Sequence, residues 1–169
     1  MSGVITTDPF EILDASKTFY EDLYKSKRNN WQQNEQYFKF EGLPLPTLSH
    51  EGRQSGEGAI SLEECTEVLN SFPLNKVPGN DGLPVEFYKM FWASIGKRLV
   101  ECFNVSFEKG ELSLSQRQAV ITLIEKKDQD RCDLKNWRPI SLLNVDAKIA
   151  SKVIAERMKC LLPGLIHHN

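Results

Sequence analysis

The sequence predicts an α+β fold, mostly helical, with helices around one small antiparallel β-hairpin. Three observations carry this expectation. Several stretches repeat apolar residues at three- and four-residue spacing and carry helix-end residues at their borders. Two short apolar runs, 119–124 and 139–143, flank a densely charged segment. A hydrophobic content of 40% in 169 residues is enough for one core. A lone strand pair is too small to be stable by itself, so the helices must supply its packing.

In chain order, "TTDPFEILDASKTFYEDLYKS" offers Asp8 as N-cap, Pro9 at the first helical position and Glu11 in the capping-box place, with Ile12, Phe19 and Leu23 at helical spacing. Residues 26–58 lose periodicity, carry Pro44 and Pro46 and end in "EGRQSGEGA". They predict a long connection with at most one short helix. The organisation expected is therefore 1–58, a helix and polar linker, followed by 59–169. Ser61 and Glu64 form a second capping box before "SLEECTEVLNSF", whose Leu62, Cys65, Leu69 and Phe72 share a face. "NKVPGNDGLP" then turns at Pro-Gly, and Asp81 can cap a helix entered through Pro84. Phe87, Phe91, Ile95, Leu99 and Phe103 form an i, i+4 row ended by Gly110, as one helix or as two broken near Gly96. The aromatic stripe reads as core. Past the hairpin, whose Pro139 points to an edge or a bulge, "NVDAKIASKVIAERMKCLLPGLI" predicts a helix with rows Val145-Ile149-Val153 and Ala150-Ile154-Met158, stopped by Pro163-Gly164.

Several function classes find no support. No apolar run reaches the length of a membrane span, and "MSGVITTDPF" has neither the basic start nor the apolar stretch of a signal peptide. The expectation is an intracellular protein, cytoplasmic or nuclear, without a membrane partner. Cys65, Cys102, Cys132 and Cys160 form no C-x-x-C pair and predict reduced thiols packed as small hydrophobes. His50, His167 and His168 have no zinc-type spacing, and the last two read as a polar chain end. There is no G-x-x-x-x-G-K-[ST], G-x-S-x-G or H-E-x-x-H. Asp128, Asp130 and Asp133 miss the calcium-loop pattern and lie among Lys126, Lys127 and Arg131, as a solvated tip would. Neither a catalytic set nor a metal site is expected.

What remains is cationic. Residues 1–72 hold 6 Lys and Arg against 12 Asp and Glu, whereas 73–169 hold 15 against 11, so the second part is the better suited to a polyanion. Lys126, Lys127, Arg131, Lys135 and Arg138 all fall in the hairpin. Arg138 sits between Trp137 and Pro139, where its direction is fixed, and the Lys pair lies across the turn near Asp128 and Asp130. Lys is a mobile point charge and Arg a planar fork matching two phosphate oxygens. Two readings fit: a tip charged for solubility, or a hand that grips a triphosphate.

The blocks "VPGNDGLPVEFYK", "NWRPISLLNVDAKIASKVIAERM" and "LIHHN", in this order after "ITTDP…FYEDLY", resemble the N-terminal part of the reverse transcriptase of non-LTR (LINE-1-type) retrotransposons. The resemblance covers nearly the whole chain. It implies the fingers region of an RNA-directed DNA polymerase, with Lys126, Lys127 and Arg138 contacting the incoming nucleotide's triphosphate. The implied partners are an RNA template, a DNA primer, deoxynucleotides and the palm and thumb domains. The family's magnesium-binding carboxylates, from a Phe-x-x-x-Asp strand and a Tyr-x-Asp-Asp turn, come after the part this chain matches, so the chain is expected to be inactive alone. Elements that pack on a palm imply exposed apolar surface on the hairpin or the C-terminal helix. Three positions depart from the pattern: Asn80 and Glu125 replace proline, and Asn169 replaces aspartate. Glu125 sets a negative charge beside the phosphate contact. The reading from another class is a stand-alone nucleic-acid-binding or interaction module left from a decayed or reused element.

Overall fold

The computed structural model describes residues 5–25 and 46–166. Residues 26–45, most of the long connection, lie outside the described residues, as do His167, His168 and Asn169. The elements are α1 (Pro9–Tyr24), α2 (His50–Gly56), α3 (Leu62–Ser71), α4 (Val85–Lys109), α5 (Leu114–Arg117), β1 (Ala119–Glu125), β2 (Trp137–Leu143) and α6 (Val145–Leu161). Short 3-10 turns cover Leu134–Asn136 and Leu162–Gly164. β1 and β2 form a two-stranded sheet. The α+β, mostly helical expectation holds. The chain divides into two compact units, Met1–Pro44 with Leu123–Pro139, and Leu45–Thr122 with Ile140–Asn169.

The larger unit is built on α3, α4 and α6, which pack pairwise, with α2 and α5 against α6. Leu69, Phe103, Val145, Ile149 and Val153 are fully buried, each stabilising by about 1.5–3 kcal/mol relative to an exposed side chain. The row Val145-Ile149-Val153 faces the core as its spacing predicts, while Met158 at the end of the second row is 50% exposed. α4 runs unbroken through Gly96, whose missing side chain lets the Trp92 ring lie close. It ends where expected, with Gly110 in the left-handed region at φ 68°. Phe91 departs from its row and is 44% exposed.

Caps separate local expectation from outcome. The Ser61–Glu64 box closes in both directions, at 3.1 and 2.8 Å. The Asp8–Glu11 box closes in one only: Asp8 accepts from the Phe10 and Glu11 amides, but Glu11 takes the Thr6 hydroxyl. Asp81 does not cap α4. Its carboxylate turns back to the Leu83 amide at 3.0 Å, and Pro84 stands at the N-cap without a side-chain bond.

The two sequence blocks "VPGNDGLP" and "NWRPISLLNVDAK" meet at Asn144. This buried side chain accepts from the Asp81 amide at 3.3 Å and donates to the Ser115 carbonyl at 3.0 Å. Gly79 abuts the same residue so closely that a Cβ would fall on the Asn144 side chain and the Leu143–Asn144 peptide. Beside it, buried Gln116 donates to Asp146 at 3.0 Å. A turn, a short helix and the start of α6 are thereby fastened through amide groups.

The thiols depart from expectation. Cys65 is fully buried, but Cys102, Cys132 and Cys160 are exposed. Burial first, then the neighbouring Glu64 charge, pushes the Cys65 thiol up to about 11. Apolar surface is exposed where expected, at Ile121 and Ile124 of the hairpin and at Met158 and Ile166 of the C-terminal segment. It is also exposed on α1, at Phe10 and Leu13, which the sequence reading did not single out.

Candidate phosphate-binding hairpin

Eleven residues, 126–136, separate the two strands, well beyond the two to five of an ordinary hairpin loop. Side chains fold this long tip on itself. Asp130 accepts from the Cys132 amide at 2.9 Å and Asp133 from the Lys135 amide at 3.0 Å. Asn136 donates to the Asp130 carbonyl, and the Lys126 amide to the Asn136 carbonyl at 2.8 Å. The aspartates therefore shape turns; Asp128 itself takes a positive φ of 60°. Their carboxylates make no ion pair with Lys126 or Lys127 among the described residues. Asp130 and Asp133 thus cap the loop backbone rather than pairing with these lysines.

The five cations divide by what they touch. Lys126 is half-buried, with Nζ donating to the Lys135 carbonyl at 2.6 Å across the tip. Arg131 forks onto Glu125, with Nε at 2.5 Å and Nη2 at 2.9 Å. That pair neutralises the negative charge Glu125 sets in the hairpin. Lys127, Lys135 and Arg138 are exposed, and their side chains make no hydrogen bond or ion pair among the described residues. Arg138 is the second residue of β2, an exposed position between half-buried Trp137 and Pro139. Trp137 is fixed from two sides: its indole N–H donates to the Arg131 carbonyl at 2.9 Å, and its own carbonyl accepts from the Tyr20 hydroxyl at 3.4 Å. Burial first, then proximity to Tyr24, pushes the Tyr20 hydroxyl above its ordinary value.

Of the residues singled out from the sequence, Arg138 and Lys127 are thus exposed and unpaired among the described residues, and Lys126 is engaged by the hairpin's own backbone. The Glu125–Arg131 fork was not anticipated. Its one sequence signal is opposite charges at the strand end and mid-loop, and that is shared by many solvated tips.

A second cluster belongs to the larger unit. Arg157 of α6 reaches Glu64 with Nε at 2.6 Å and Nη2 at 2.8 Å, and caps the Gly58 and Ala59 carbonyls at 2.9 and 2.8 Å. The hydrogen bond from Arg157 holds the Glu64 carboxyl below its ordinary value. Because Glu64 also closes the α3 capping box, one guanidinium locks a helix start, the preceding chain and α6 together. The groove beside it, about 400 Å³ and lined by Glu67, Lys152 and Glu156, has its cations engaged: Lys152 bonds the Ser71 hydroxyl at 2.8 Å and lies over the Phe72 ring.

No family model matches the sequence. Relatives are nevertheless found among mobile-element proteins. The chain is 38% identical over 165 residues to the Transposon TX1 uncharacterized 149 kDa protein of Xenopus laevis, covering 98% of this chain and 12% of that protein. It is 29% identical over 100 residues to the RNA-directed DNA polymerase from mobile element jockey of Drosophila melanogaster, covering 59% and 11%. To the putative 115 kDa protein in type-1 retrotransposable element R1DM, also of Drosophila melanogaster, identity is 26% over 128 residues, covering 75% and 12%. The chain therefore spans about an eighth of the length of the curated relatives it matches. It is related to retrotransposon proteins, RNA-directed DNA polymerases among them. No helix among the described residues is long and apolar enough to cross a membrane.

Proposed function

We propose that this chain is the fingers part of an RNA-directed DNA polymerase of a non-LTR, LINE-1-type retrotransposon. Its hairpin contacts the triphosphate of the incoming deoxynucleotide beside an RNA template. The observation that carries the reading is Arg138: a strand residue whose guanidinium is exposed and without a protein partner among the described residues, inside the block that resembles the family. Lys127 supplies the mobile charge. Lys126 joins only by leaving the Lys135 carbonyl.

Phosphoryl transfer in such enzymes uses two metal ions held by carboxylates. Among the described residues no group of His, Cys, Asp and Glu could hold a metal ion. Phe10 and Asp14 have the Phe-x-x-x-Asp spacing but lie on helix α1, not on a strand. By the resemblance, magnesium and the palm that binds it belong to the full-length polymerase, and this chain's own contribution is to hold phosphate.

Binding of inorganic triphosphate to the purified chain tests the reading. Arg138→Ala is expected to weaken it more than Lys109→Ala, an equal charge loss at the exposed end of α4. Equal losses would reduce the effect to general electrostatics and overturn the assignment. Primer extension with magnesium, RNA template and deoxynucleotides is expected to give no product with this chain alone.

A further inference from the structure

We infer that Arg131 is a positioning residue of the hairpin, a latch between the strand ends that sets Arg138 for phosphate without touching phosphate itself. The inference rests on the phosphate reading above. Arg131 lies in the middle of the eleven-residue tip, and its two ends bond in opposite directions. The guanidinium forks onto Glu125, the last residue of β1, and the carbonyl accepts from Trp137, the first residue of β2. Trp137 immediately precedes Arg138. A loop of this length sweeps many conformations unless tied, and ordering it only on binding would cost affinity. The latch supplies that order in advance.

The competing role, a third phosphate contact, conflicts with the geometry. A phosphate taking the Arg131 fork must first displace the Glu125 carboxylate, which already occupies Nε and Nη2. Both side chains are largely solvated, 73% exposed for Arg131 and 43% for Glu125. Exposed pairs contribute only about 0.2–1 kcal/mol, so the expected changes are modest. The sign of the change decides. Removing the Glu125 charge should tighten anion binding by simple electrostatics, whereas a broken latch should weaken it.

The experiment compares the full chain with Glu125→Gln, Arg131→Ala, Arg131→Lys and the swap E125R/R131E. The probes are inorganic triphosphate and, in a second arm, a labelled single-stranded RNA. A latch predicts that Glu125→Gln and Arg131→Ala each weaken binding by about two- to fivefold, the range a surface pair can supply. Arg131→Lys, which keeps the charge and loses the fork, should fail to rescue fully. The swap should restore binding, and the salt slope on RNA should stay at its parent value throughout. Tighter binding by Glu125→Gln overturns the latch. So does a salt slope smaller by about one in Arg131→Ala, which marks a lost phosphate contact. If Arg138→Ala leaves parent binding unchanged, the phosphate reading itself falls, and this outcome is distinct from either of the others. An effect confined to one arm supports the latch and assigns it to a triphosphate or to a nucleic-acid backbone accordingly.

Discussion

Arg157 commits its guanidinium to the protein, on the Glu64 carboxylate and the Gly58 and Ala59 carbonyls, while Arg138 commits its own to nothing among the described residues. The side chain of Arg157 is 11% exposed, and its surroundings satisfy it group by group. Arg138 stands in solvent on a strand. The same fork therefore serves cohesion in the helical unit and stands exposed in the hairpin. The comparison teaches that charge in this chain follows partner supply: where carbonyls or a carboxylate converge, as at Arg157, Lys126 and Arg131, a cation is tied to the fold, and where none does, as at Arg138, it stays in solvent.

The sharpest way to break this contrast is to remove the structural arginine. Arg157→Ala leaves Glu64 and two carbonyls without their donor, and such losses cost about 3 kcal/mol. Chemical denaturation should show that loss with triphosphate binding at the hairpin unchanged per folded molecule. A smaller step is Gly79→Ala. The added methyl meets the Leu143–Asn144 peptide rather than a movable side-chain end, and overpacking of this kind costs about 2 kcal/mol. A fully stable Gly79→Ala protein would mean that the two sequence blocks do not meet at Asn144.

Acid sharpens the same comparison more gently. The folded Glu64 carboxyl lies below its ordinary value of 4.5, chiefly because Arg157 hydrogen-bonds its charged form. A depressed carboxyl contributes stability that is complete above the unfolded value and is lost as pH falls through the folded one. The stability gap between the parent and Glu64→Gln should therefore be full at pH 7 and shrink below pH 4.5. A gap constant through that window would remove the ion pair from the account. The cysteines report packing in the same unit: at pH 8 a thiol reagent should label Cys102, Cys132 and Cys160 in the folded chain. Cys65, buried and with its thiol pushed up to about 11, should react only on unfolding.

What could be read in the sequence was local. The boundaries of α3, α4 and α6 follow from Ser61–Glu64, Gly110 and apolar spacing because those signals act within one or two turns. The strand pair and the cation cluster were likewise visible as short runs. Asp81 misled because an aspartate before Pro84 can cap a helix or close its own turn, and the choice depends on Asn144, 63 residues away. Arg157 gave no signal at all, its partner Glu64 lying 93 residues distant. Within the hairpin, sequence placed Lys126, Lys127 and Arg138 together but could not tell which were occupied, since the Lys135 carbonyl that takes Lys126 exists only once the tip has folded.

The smallest stability effect belongs to Arg138, and that smallness is itself the test. A surface side chain with no partner among the described residues should cost less than about 0.5 kcal/mol when truncated. Arg138→Ala should accordingly melt with the parent while binding triphosphate about tenfold more weakly, the change expected of one lost charge-assisted contact near 1.4 kcal/mol. Arg138→Lys should recover part of the charge and little of the two-oxygen geometry, because an ammonium on a flexible stem does not present a fork. The pair of measurements separates two uses of an exposed arginine. If stability falls with binding, Arg138 is a second Arg157, held by the fold. If neither falls, it is surface charge kept for solubility. Loss of binding at constant stability is the signature of a cation that the fold orients and leaves for an anion.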